Sequence, residues 1–106
     1  GHLVGDAVLL ELANLIQDNL RKTDYLGRYG GEEFLVVFPN SHLNQIKTVS
    51  ERIRKAVESH VFPNQIRLTI SGGAYELRGG SLYDVIHQAD LNLYEAKRLG
   101  KNRIVY

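Results

Sequence analysis

The fold class predicted by this sequence is α/β (α+β), with helices packed on a sheet. Three stretches repeat apolar residues at helical spacing, and strand-like runs alternate with them. One run, Phe34 to Phe38, is apolar on both faces, which marks a central strand covered from both sides. The chain has 106 residues, the size of one domain.

Each element has its own signal. Val8, Leu9, Leu12, Leu15, Ile16 and Leu20 predict a helix over about 6–21. Tyr25 to Tyr29 and Glu32 to Phe38 are strand-like and flank Gly30-Gly31, which predicts a tight hairpin because glycine supplies the positive φ of the turn. Pro39-Asn40-Ser41 ends the second strand. Leu43, Ile46, Val49, Ile53 and Val57 form the stripe of a helix over about 42–59. Pro63-Asn64 is a turn. Ile66, Leu68 and Ile70 alternate with Arg67, Thr69 and Ser71, a strand with one buried face. Gly72-Gly73 interrupts that strand before Ala74 to Leu77, and Gly79-Gly80 is a further break. Leu82, Val85, Ile86, Ala89 and Leu93 predict a helix over about 81–98, with Gly100 as its C-terminal cap. Arg103 to Tyr106 is a short last strand. A helix at the start leaves such a sandwich one strand short. With Gly1 first and no methionine, the expectation is that residues precede this segment.

Composition narrows the function. Hydrophobic residues are 43% and charged residues 24%, as in soluble globular domains. The net charge of +1 argues against a dedicated DNA, RNA or membrane surface, which needs a clustered basic excess. There is no cysteine, so thiol chemistry and disulfides are excluded and a reducing cytoplasm is permitted; the expected location is cytoplasmic, with room for a membrane anchor elsewhere in a longer parent protein. No apolar run reaches the roughly 20 residues of a membrane span.

Paired carboxylates at the mouth of a hydrophobic strand are unusual. Strand residues alternate faces, so one of Glu32 and Glu33 should turn toward whatever covers the sheet. A carboxylate there has to be ionised, paired or metal-bound. Carboxylates that hold Mg²⁺ over a phosphate chain fit this setting; so do solvated residues at a hairpin tip.

Gly30-Gly31-Glu32-Glu33-Phe34 resembles the signature of GGDEF domains, the diguanylate cyclase family, in its GGEEF form. "GHLVGD" at the start resembles the family's GHxxGD block, "LTISGGAY" resembles the strand after its second helix, and "ADLNLYEAKRLGKNRIVY" resembles its C-terminal block. The resemblance runs the length of the chain. It implies a central, mostly antiparallel sheet wrapped by helices, like the palm of nucleotidyl cyclases and polymerases, with the first strand missing here. It implies an enzyme of bacterial second-messenger signalling that condenses two GTP into cyclic di-GMP across an antiparallel homodimer.

The resemblance also implies residue roles. Glu32 matches the metal-binding carboxylate, for Mg²⁺ or Mn²⁺, and Glu33 the acid that assists at a second metal or activates the attacking hydroxyl. Gly30 and Gly31 let the nucleotide lie close to the backbone. Asp6 matches the acceptor for the guanine edge, although an N-cap or first-turn acid would look the same. Lys97 and Lys101 match the pair that holds the triphosphate; at i and i+4 they would share a helix face. Arg21 and Asp24 form the Arg-x-x-Asp motif of the family's inhibitory cyclic di-GMP site, with Arg52 completing it. A C-terminal helix arginine and a turn aspartate are the plain alternative. His2 belongs to the GH pair or is a tag remnant, and His42, His60 and His87 are expected at the surface or at element boundaries.

One block is absent. The family carries an Asp-x-Asp-x-Phe-Lys strand and an Asn-Asp pair upstream, and this chain has neither. The expectation is a partial GGDEF domain over 1–106, inactive by itself, from a cyclase whose product inhibits it. The competing expectations are a non-catalytic cyclic di-GMP receptor and a GTP-binding regulatory domain.

Overall fold

The computed structural model describes residues 2–106, with side chains from Val4 onward. The expectations for Gly1 and for the His2 side chain lie outside the described residues. The elements are α1 (His2–Asp18), β1 (Tyr25–Gly30), β2 (Glu33–Val37), α2 (Leu43–Ser59), a 3₁₀ turn at Pro63–Gln65, β3 (Gly72–Gly73), α3 (Leu82–Arg98) and β4 (Ile104–Val105). The mixed helix–sheet class is as predicted.

The helices follow from their apolar stripes. Val8, Leu12 and Ile16 of α1 meet Ile53 and Val57 of α2 and Phe62 beyond it, and all six are buried. Val57 and Phe62 are almost fully enclosed, at 0% and 2% exposed. Burial at that level is worth about 1.5–3 kcal/mol per side chain. Leu26, Phe34 and Val36 pack on this cluster from the hairpin, and Ile66, Leu68 and Ile70 from the segment after α2.

The helix ends are set by local hydrogen bonds. α1 stops at Asp18 rather than Arg21. Asn19 Nδ2 donates to the Leu15 carbonyl at 2.8 Å, and Asn19 N and Leu20 N donate to Ile16 and Gln17, three residues back. That tightening takes the last carbonyls and ends the α-helix. At the start of α2 the His42 N–H donates to Gln45 Oε1 at 2.7 Å. Ser81 caps α3, its hydroxyl accepting the Asp84 N–H at 3.1 Å. α3 ends in a Schellman motif: Gly100, at φ +123°, donates to the Lys97 carbonyl, and Lys101 donates to the Ala96 carbonyl at 2.9 Å.

The sheet departs from expectation in three places, the first being β2, predicted as a central strand covered from both sides, which has one paired neighbour among the described residues and leaves Val37 43% exposed. β1 and β2 form an antiparallel hairpin, and β3 and β4 a separate parallel pair. No ladder joins them among the described residues. The predicted strand at 66–71 is not paired; its alternation is real, but a strand also needs a neighbour for its backbone groups, and only Ile66 finds one, in a bridge to Phe62. Gly72-Gly73, predicted as an interruption, is instead the paired stretch. The reason is packing. A β-carbon on Gly73 would lie 2.1 Å from the Ala89 carbonyl oxygen and 2.3 Å from the Leu93 nitrogen, so only glycine lets α3 lie this close to the strand. No described helix is long and apolar enough to cross a membrane.

Candidate functional site

Four groups of predicted residues can be placed. The first is a cleft of about 380 Å³ between α1 and the hairpin, lined by Asp6, Leu9, Leu10 and Ala13 on one side and Leu26, Gly27, Arg28 and Phe34 on the other. Its size suits a small ligand. Asp6 is exposed and sits in the second turn of α1, so it is neither the N-cap nor a first-turn acid. A carboxylate at the rim of a cleft with flat apolar walls can accept hydrogen bonds from a planar polar edge while the walls cover its faces.

The second group is the hairpin turn. Gly30 pairs with Glu33, so the two-residue turn is Gly31-Glu32, one position later than predicted, with Gly31 at φ +31°. β2 begins at Glu33; Glu32 lies in the turn and is free of strand alternation. Both glutamates are exposed. Glu33 and Phe34 point to opposite faces of β2, and Phe34 is the one that takes the cleft. A β-carbon on Gly30 or Gly31 would meet nothing within 4 Å, which leaves the turn open to a ligand. Arg28, given no role from the sequence, braces this turn: its Nε donates to the Gly31 carbonyl at 2.7 Å, its Nη2 donates to the same oxygen, and its guanidinium lies 6.0 Å from the Phe34 ring centroid.

The third group is Lys97 and Lys101. They do not share a helix face as predicted, because α3 ends before Lys101 and the Schellman turn carries it. Both are exposed, and neither has a carboxylate partner among the described residues, whereas neighbouring Arg98 is paired with Glu95.

The fourth group is Arg21, Asp24 and Arg52. Asp24 is buried, its side chain 0% exposed, while that of Arg21 is 46% exposed. The Asp24 carboxylate accepts the Arg21 backbone N–H at 2.8 Å, Nε at 3.1 Å and Nη2 at 2.8 Å. The Arg21 guanidinium holds the Asp24 carboxyl below its ordinary range, against the opposing effect of burial. Nη2 of Arg21 also reaches Ser41 Oγ. Arg52 donates to the carbonyl of Asn19 at 2.6 Å and to its Oδ1 at 3.2 Å, which places it beside the turn that carries Arg21. A second hollow of about 260 Å³ lies between Arg21, Phe38, Ser41, Gln45, Thr48 and Val49. The structure therefore brings the three predicted residues to one end of α1. Two of the histidines have carboxylate partners that the sequence did not suggest: His60 with Glu11 at 2.8 Å and His42 with Glu76 at 3.3 Å.

The sequence matches the family described as diguanylate cyclase, GGDEF domain, over residues 1–103. The chain belongs to the GGDEF domain family. Diguanylate cyclase A of Treponema denticola is 40% identical over 98% of this chain, which spans 29% of that protein. The chain spans less than a third of the length of the curated relatives it matches. Among solved structures, the active GGEEF domain of a Vibrio cholerae diguanylate cyclase superposes with a TM-score of 0.89 at 33% identity, covering 99% of this chain and 69% of that one. The GGDEF domain of DgcB from Caulobacter crescentus, solved in complex with c-di-GMP, superposes with a TM-score of 0.89 at 34% identity, covering 99% and 66%.

The family's divalent metal can be tested against the residues present. Among the described residues no group of three or more His, Asp or Glu side chains could hold an ion. Mg²⁺, however, is commonly bound by one or two carboxylates with substrate phosphates and water supplying the rest. The exposed, adjacent Glu32 and Glu33 of this GGDEF domain fit a metal that arrives with a triphosphate, not a preformed cage.

Proposed function

We propose that this GGDEF domain binds GTP and serves a diguanylate cyclase, in which two copies each present one GTP to the other. The observation that carries the reading is the cleft, which has Asp6 on its rim and is lined by Arg28 and Phe34 of the two strands that run to the open Gly30-Gly31 turn. Guanine is a flat base with hydrogen-bond donors along one edge. Asp6 accepts from that edge, Leu9, Leu10 and Phe34 cover the faces, and the phosphates run out past the glycine turn. Lys97 and Lys101 bind the triphosphate. A metal ion bound with the nucleotide at Glu32 and Glu33 would neutralise phosphate charge.

The chemistry balances as two identical transfers. The 3′-hydroxyl of one GTP attacks the α-phosphorus of the other. The O3′–Pα bond forms, the bond from Pα to the bridging oxygen breaks, and pyrophosphate leaves. The hydroxyl proton passes to Glu33. Repetition in the opposite sense closes the ring and gives cyclic di-GMP and two pyrophosphates. Holding both nucleotides in line is the main work of the protein. In the same proposal cyclic di-GMP inhibits by binding at the half-exposed Arg21 and at Arg52. The enclosed Asp24 aims Arg21 and does not itself meet the ligand.

The test is cyclic di-GMP formation from GTP and Mg²⁺, by this chain and by a version extended at its amino terminus with an Asp-x-Asp-x-Phe-Lys strand and Asn-Asp block. Product is expected from the extended version. Glu33→Gln should lower its rate by roughly 10²–10⁴-fold, the usual worth of proton transfer to a placed side chain. Added cyclic di-GMP should slow it, and Arg21→Ala should relieve that inhibition. GTP binding without product from either version would overturn catalysis and leave a binding module.

A further inference from the structure

We infer that Asn102 is a positioning residue for the triphosphate end of the site, acting through Lys101; the inference rests on the proposed function. Lys101 and Asn102 both adopt the left-handed region, at φ +64° and +47°. Two successive non-glycine residues there are strained and persist only where their surroundings hold them. The Asn102 amide is held at both ends. Its Oδ1 accepts from Arg54 Nη1 at 3.0 Å, and its Nδ2 donates to Glu58 Oε2. Arg54 is itself fixed, its Nε donating to Glu51 at 3.1 Å and its Nη2 3.1 Å from the same carboxylate. Both partners of the amide, and Glu51 behind Arg54, lie on α2, so the amide ties the end of α3 to a separate helix.

Two further hydrogen bonds fix the Lys101 backbone beside that network. Its N–H donates to the Ala96 carbonyl, and its own carbonyl accepts from Arg103 Nε at 3.0 Å. The backbone of Lys101 is thus defined by Gly100 before it and Asn102 after it. Its ammonium has no carboxylate partner among the described residues and is available to a phosphate. A lysine is a flexible point charge, so the direction in which its backbone launches it matters more than for a forked arginine. Asparagine suits the position twice. It tolerates the left-handed conformation better than other non-glycine residues, and its amide offers a donor to Glu58 and an acceptor to Arg54 at once.

Two variants separate the amide from the backbone. Asn102→Gly keeps the left-handed conformation and deletes the clamp; Asn102→Ala loses both. Binding of GTP, GMP and guanosine is measured by calorimetry on each, with thermal melts to confirm folding. Both variants are expected to bind GTP roughly 10- to 100-fold more weakly, the range seen for groups that orient a binding side chain, with guanosine unchanged and GMP between. A merely structural role would weaken all three ligands together, which would overturn the inference. GTP binding by Asn102→Gly equal to that of the unsubstituted chain would overturn it too. Absence of GTP binding by the unsubstituted chain would overturn the proposed function, and this inference with it.

Discussion

The pair Arg21–Asp24 has a structural role that stands apart from any ligand. The aspartate is enclosed and every hydrogen bond its carboxylate accepts among the described residues comes from Arg21, so its first effect is to close the turn after α1 and aim the guanidinium outward. A pH signature follows. The Asp24 carboxyl sits below its ordinary value of 3.8 because Arg21 hydrogen-bonds its charged form. A group whose folded pKa is lowered stabilises the fold above its unfolded pKa, and that contribution fades as pH falls through the lowered value. Asp24→Asn should therefore cost about 1–3 kcal/mol near neutral pH. Half-exposed Arg21 keeps the cost below that of a fully buried pair. Thermal melts of both proteins from pH 6 to pH 2 should show the gap narrowing toward the acid end. A gap constant across that range would mean that the carboxylate's charge is not what stabilises the turn.

At the scale of elements, the tightest constraint is the approach of α3 to β3. A methyl group at Gly73 would strike helix backbone, while one at Gly72 would meet the Ile104 Cδ1 at 2.7 Å, the movable end of a side chain. Gly73→Ala is therefore expected to destabilise by about 3 kcal/mol or more and Gly72→Ala by about 1 kcal/mol, since a side chain can change rotamer and a helix backbone cannot yield alone. Urea unfolding midpoints decide it, and equal costs would contradict the packing argument. The same pair shows what the sequence could and could not reveal. The helices were legible because their stripes, such as Val8, Leu12 and Ile16, are written within the element that uses them. The hairpin was legible to within one residue, because turn glycines act locally. The role of Gly72-Gly73 and the unpaired state of 66–71 were not, because both depend on what lies alongside. Asp6 was expected as a guanine acceptor only through the family resemblance; Arg28 braces Gly31 three residues on, a contact that apolar spacing does not announce, and Asn102 acts through tertiary contacts to Arg54 and Glu58.

At the scale of the whole molecule, the proposed reaction asks for more than one copy supplies. Two nucleotides have to meet head to tail, yet among the described residues one cleft joins Asp6 to the hairpin. The exposed turn and Lys97 and Lys101, which have no carboxylate partner among the described residues, would in that proposal leave the phosphate end open to a facing chain. If each copy binds one GTP independently and catalysis occurs only in the pair, the rate depends on the concentration of pairs. Well below the dissociation constant of the dimer, that concentration rises as the square of total chain, and above it in direct proportion. Product formed per chain should therefore climb about tenfold for each tenfold rise in chain concentration at the dilute end and then level off. The levelling point should coincide with the monomer–dimer transition seen by sedimentation. Joining two copies by a flexible linker should flatten the curve, because the second copy is then held at an effective concentration near the millimolar range. Product per chain that stays constant across the dilute range, in a preparation that sediments as monomer, would place the whole reaction within one chain and remove the reason for a facing partner.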